Sequence, residues 1–195
     1  MRTIVALRVP SGQINVLVPT ELPSTGTVDL TVQTPGGASA PQTLTPAPAA
    51  PGIFYYGDPL VPSRRHAVAV TARTAWIAIP LSPAASPGVP ATCGSAAALC
   101  AQPARRGGYP QSYVTGLAKA TPNGEPNGAA LATGSVAPAS GSPLKQTVAA
   151  PAVTIGGQPA TVLFSGVAPG YNGLYRVDVQ IPANIAAGDD VPPSQ

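Results

Sequence analysis

The stretch AVTIGGQPATVLF, residues 152–164, decides the fold class. Ala152-Val153-Thr154-Ile155 runs into Gly156-Gly157, and Ala160-Thr161-Val162-Leu163-Phe164 returns. Two β-prone runs around Gly-Gly predict a hairpin, because glycine enters the positive-φ conformations of a tight two-residue turn at no steric cost. Ala168-Pro169-Gly170 turns the chain again. Leu174 to Ile181 then reads as a strand closed by Pro182, with Val177, Val179 and Ile181 on one face.

The same pattern recurs near the start. In Gln13-Ile14-Asn15-Val16-Leu17-Val18, apolar residues fall at 14, 16 and 18, the period of a half-buried strand, and Pro19 ends it. Laying Pro19 on Pro182, a shift of 163 (182 minus 19), places Ile14, Val16 and Val18 on Val177, Val179 and Ile181. Residues 27–32 alternate again at Val28, Leu30 and Val32, Pro35-Gly36-Gly37 turns, and residues 42–45 form one more strand candidate. Such segments, punctuated by Gly and Pro, predict a sandwich rather than a helical or α/β domain.

Composition agrees. Gly and Pro number 21 and 26 in 195 residues. Proline removes a backbone donor and clashes with the preceding turn, and glycine costs about 1 kcal/mol in a helix interior. Aromatic residues make up 5% of the chain, so the core is built from Val, Ile, Leu and Ala. Charged residues make up only 9%, against about 25% in an ordinary soluble domain. So few charges fit an extracellular β-rich module better than an intracellular enzyme. The net charge of +3 is dispersed, which argues against nucleic-acid binding. No apolar run reaches the ~18 residues of a membrane span. The opening MRTIVALRVP lacks the apolar stretch of a signal peptide, so export would need a signal outside this sequence.

The organisation read from this pattern has three parts. Residues 1–50 form a partial β unit. Residues 51–108 form a linker and an irregular excursion with short strands at 53–56, 66–70 and 76–79 and a helical turn at 96–99. Residues 109–195 form a second β unit, with a strand at 113–115 and a polar loop over 119–145.

The order of motifs resembles the Solibacter-type uncharacterised C-terminal domain. The matching stretches are SGQINVLVP (11–19), APGIF (50–54), YVTGL (113–117), 153–164, GVAPGYNGLYRVDVQIP (166–182) and the closing GDDVP (188–192). The hairpin followed by a Pro-closed strand is also similar to the IPT/TIG type of Ig-like domain. The resemblance implies an all-β fold of tandem Ig-like sandwich units, the N-terminal one partial, joined by a Pro/Ala/Gly-rich irregular segment. It also implies the C-terminal end of a longer bacterial protein, secreted or on the cell surface, whose upstream domains are its natural partners. It implies no catalytic residue, no cofactor and no known ligand. The family normally has more strand before the QIN motif and after the DDVP phrase, so both terminal units read as incomplete.

Cys93 and Cys100 enclose six residues. In an exported protein they read as a disulfide closing a small loop, against the alternative of two unrelated thiols. Zinc is not expected, since the chain has one His and no C-x-x-C. That histidine, His66, reads as an ordinary strand-edge residue, and no G-x-S-x-G elbow accompanies it. Asp189-Asp190 reads as a solvated turn rather than a calcium site. Arg64-Arg65 and Arg105-Arg106 read as solvated loop arginines, against the alternative of contacts to acidic polymers or phosphate. Tyr55, Tyr56, Trp76 and Tyr109 read as core and edge packing, or as a stacking platform for sugars. The functional expectation is therefore a non-catalytic structural or interaction module. The alternative is a carbohydrate-binding or adhesive module that meets surface polysaccharide or protein through exposed aromatics. A hydrolase stands third.

Overall fold

A computed structural model describes residues 6–8, 14–58, 61, 63–80, 89–90, 92–117, 119–188 and 193–194. The readings at residues 81–88 and at Asp189-Asp190 lie outside them. Among the described residues there is no helix, and all regular structure is β.

The first part of the chain makes small sheets. β1 (Ala6–Arg8) pairs antiparallel with β2 (Ile14–Val16). β3 (Val28–Leu30) is followed by a minimal hairpin of β4 (Gln33–Thr34) and β5 (Gly37–Ala38), and β6 (Gln42–Leu44) returns to pair with β3. The middle supplies β7 (Gly52–Ile53), β8 (Tyr55–Gly57), β9 (Arg65–Ala67), β10 (Ala69–Thr71), β11 (Trp76–Ile77) and β12 (Cys100–Ala101). The remainder supplies β13 (Pro110–Thr115), β14 (Ala120–Pro122), β15 (Lys145–Thr147), β16 (Val153–Ile155), β17 (Gln158–Val167), β18 (Tyr175–Gln180) and β19 (Pro193–Ser194).

One mixed sheet dominates, in the order β12-β11-β10-β13-β18-β17-β15-β14. β16 joins it beside β17, and β7 beside β13. Only β11 and β12 run parallel among its pairs. The hairpin at residues 152–164 forms with Ile155 opposite Gln158. Gly156 and Gly157 sit at φ 57° and 75°, the two positive values of a type I′ turn. Leu163 is the extra residue of a bulge, 55% exposed, which shifts the register of β17 against β18 between Val162 and Phe164.

Two findings change the picture. The short strands expected within residues 51–108 form, and β7, β10, β11 and β12 from this span enter the same sheet as β13 to β18. Of these, only β12, two residues long, went unexpected, since it carries too little alternation to announce itself in a Pro- and Gly-rich sequence. Pro110 opens β13 opposite Thr71, the first-residue position that tolerates a missing donor. The loop at 119–145 likewise pairs with itself at its ends, Pro122 against Lys145.

The second change concerns phase. Ile14, Val16 and Val18 are 52%, 42% and 60% exposed. The opposite face turns inward instead. Pro19 is buried, and Leu17 lies so close to Gly173 that a Cβ there would meet its Cδ1 at 2.5 Å. Thr20 and Glu21 hold the segment to the body through Thr133, whose hydroxyl donates to Glu21 Oε2 at 2.7 Å and accepts from the Thr20 amide at 3.0 Å. By contrast Val177 and Val179 are each 3% exposed. They form a core with Val114, flanked by Ile53, Val153, Ile155 and Val162. A second cluster gathers Ile77, Ile79 and Ala101, and a third Ala120, Ala137 and Val167.

Candidate functional site

The sheet face formed by β10, β13 and β18 is the floor of a cleft of about 720 Å³. Alternation places Ser112 and Val114 of β13 on that face with Val177 and Val179 of β18, while Gln111, Tyr113, Arg176 and Asp178 point the other way. Ala69 extends the floor on β10, and Val153 to Ile155 of β16 form part of the wall. Among the described residues that line it, only Arg65, His66, Arg106, Ser112 and Thr154 carry polar side chains, and none of these is acidic.

His66 reaches this cleft because of the β8–β9 register. Tyr56 faces His66 and Gly57 faces Arg65, so Asp58 falls opposite Arg64, and its amide donates to the Arg64 carbonyl at 3.0 Å. Residues two apart share a strand face. Arg64 and His66 therefore converge on Asp58. Asp58 Oδ2 lies 3.5 Å from an Arg64 terminal nitrogen and 3.6 Å from His66 Nε2. Asp58 Oδ1 accepts from the Val61 amide at 3.1 Å. Asp58 and His66 are buried, at 5% and 8% exposure. His66 stands on β9, an edge strand of the two-stranded β8–β9 sheet, and is buried there beside Asp58. Sequence reading missed that pairing because a lone histidine with an acid eight positions earlier has no periodic signature. His66 Nε2 makes no hydrogen bond among the described residues.

The four aromatic candidates separate. Tyr56 is half-buried and packs against the cluster of Ile77, Ile79 and Ala101. Tyr55 is 51% exposed and carries the Arg65 guanidinium 4.4 Å from its ring centre. Trp76 and Tyr109 do come together. They line a second pocket of about 280 Å³ with Gln102 and Arg105. Trp76 Nε1 donates to the Ser95 carbonyl at 3.0 Å, and Gln180 Nε2 donates to the Tyr109 hydroxyl at 3.2 Å. The two pockets share a wall of Pro103, Ala104, Pro110 and Ile181. The adjacent Arg105 and Arg106 each serve one of them.

Cys93 and Cys100 are joined in a disulfide, with Cα atoms 5.3 Å apart. Cys100 is fully buried on β12 beside Trp76 of β11, so the bridge ties the 93–100 loop to the sheet edge. The Ala75 amide donates to the Ala96 carbonyl at 2.7 Å from within that loop. Burial raises the Tyr175 phenol above its ordinary value. Among the described residues no group of three or more His, Cys, Asp or Glu side chains could hold a metal ion, and no helix is long and apolar enough to cross a membrane.

Compared with known proteins, the chain matches no family model, no curated protein and no solved structure.

Proposed function

We propose that this chain is a non-catalytic structural or interaction module, made of Ig-like sandwich units of the IPT/TIG kind, from the C-terminal end of a longer secreted or cell-surface bacterial protein. Its partners in this reading are the upstream domains of the same polypeptide. The observation that most supports it is the Cys93–Cys100 disulfide, which pins the edge strand β12. Structural disulfides persist in oxidising compartments and are rare in reducing ones. A light aliphatic core and a charge content of 9% point the same way. Trapping thiols in protein taken directly from its native source tests the reading. The expected result is no alkylated cysteine before reduction and two after it. Two free thiols at the outset would count against export.

A second reading rests on the Trp76–Tyr109 pocket. Two aromatic faces beside Gln102 and Arg105 combine a stacking surface with hydrogen-bond donors, the chemistry of a carbohydrate site. A glycan array probed with the protein and with Trp76→Ala tests it. Signals on a defined polysaccharide class that vanish in the variant support binding, and an array without any signal removes this reading.

A further inference from the structure

We propose that the apolar cleft over β10, β13 and β18 binds a long-chain carboxylate. This goes beyond the structural role proposed above and does not depend on it. The floor is aliphatic throughout its depth: Ala69, Val114, Val177, Val179 and Ile181 are all at or below 6% exposure. A volume of about 720 Å³ lies in the ordinary range of roughly 300–1,000 Å³ for small-ligand sites. A sugar would find few polar groups here to replace its lost water, whereas an alkyl chain loses nothing by leaving water and gains the burial.

Charge selects the head group. Among the described residues, the ionisable side chains lining the cleft are Arg65, His66 and Arg106, all basic or potentially so. Arg65 and Arg106 both line the cleft and are exposed, so they belong to its solvent-facing rim, where a head group would rest. Asp58, the carboxylate beside His66, does not line the cleft. Arg65 is steadied by stacking over Tyr55, which leaves its N–H edge available to a carboxylate. An anionic head against two arginines and an alkyl tail along the valine floor satisfies both halves of the site. A cationic head would be repelled at the same mouth.

Calorimetric titration of the full, oxidised chain with dodecanoate, octanoate and dodecyltrimethylammonium, each below its micellar concentration, tests this. Dodecanoate is expected to saturate at one per chain. Octanoate should bind at least tenfold more weakly, since each buried methylene contributes up to about fourfold. Dodecyltrimethylammonium should also bind at least tenfold more weakly. The double variant Arg65→Ala/Arg106→Ala alters only exposed side chains and should weaken dodecanoate at least tenfold with an unchanged circular dichroism spectrum. Methyl NMR should place the perturbations on Val114, Val177 and Val179. The proposal is overturned if dodecanoate does not saturate at one per chain, if the cationic amphiphile binds equally well, if the double variant binds unchanged, or if the shifts fall on the exposed Ile14, Val16 and Leu44.

Discussion

Gln111 and Asp178 stand opposite each other on β13 and β18, and Gln111 Nε2 donates to Asp178 Oδ2 at 3.2 Å. Arg176, two residues along, brings its Nε to 2.9 Å from Asp178 Oδ1 as an ion pair, without a hydrogen-bonding angle. The same guanidinium lies 4.7 Å from the Phe164 ring centre. This polar rung occupies one face of the sheet, and Val177 and Val179 occupy the other. Opposite faces of the same strand therefore carry opposite energetic weight.

Val179→Ala removes two methyl groups from a buried position and is expected to cost about 2 kcal/mol. Gln111→Ala removes one partly exposed hydrogen bond and should cost less than about 1 kcal/mol. Urea denaturation of the two variants measures the difference, and equal costs would mean that the valine face is not the core.

Val16→Ala should change stability by less than about 0.5 kcal/mol, because Val16 is 42% exposed. A loss as large as that of Val179→Ala in the same urea experiment would place the 14–16–18 face inside the protein.

That contrast shows where the sequence could be read and where it could not. The alternation in 174–181, the Gly-Gly turn and the all-β class were legible because each rests on a local rule of period or turn geometry. The burial of Ile14, Val16 and Val18 was not, because period two says that faces differ and not which face meets the body. Leu17 against Gly173 decides that question, and the contact spans more than 150 positions. The Asp58–His66 cluster was hidden for a similar reason: only the β8–β9 register brings the two together. Of the aromatic candidates, Trp76 and Tyr109 share a pocket through the pairing of β11, β10 and β13, while Tyr56 packs half-buried against Ile77 and Ile79. The two-residue strand β12 left no pattern to find.

Gly166 faces Gln146 across β15 and β17. A Cβ there would run into the Lys145 carbonyl and come within 2.9 Å of both the Gln146 Cα and the Phe164 ring. Backbone cannot give way as a side-chain tip can. Gly166→Ala is expected to destabilise by about 2–3 kcal/mol and lower the thermal midpoint by several degrees. A midpoint within one degree of the parent would show that the strands are not so closely apposed.

Opening the Cys93–Cys100 bridge should cost about 2–3 kcal/mol, the chain-entropy value for so short a loop. Because β12 and Trp76 lie beside it, near-ultraviolet circular dichroism should lose tryptophan signal on reduction while the far-ultraviolet spectrum changes little. Loss of all β signal would assign the bridge a larger role than edge attachment.

Tyr175 titrates above its ordinary value of about 10 because burial disfavours the phenolate. A raised folded-state value means that the unfolded chain releases the proton first. The corresponding stability is complete below about pH 10 and declines as the pH rises through the folded-state value. Absorbance at 295 nm should show one tyrosine ionising later than the others, and Tyr175→Phe should remove that late component. An unchanged titration curve would assign the late component elsewhere.

The most direct test of the central claim, a non-catalytic module at the end of an exported polypeptide, is peptide mapping of the extracellular and surface fractions of the native source. The account predicts peptides of this chain in those fractions, Cys93 linked to Cys100, in a polypeptide that continues upstream into other domains. A cytoplasmic polypeptide confined to these 195 residues, with both cysteines reduced, would contradict it.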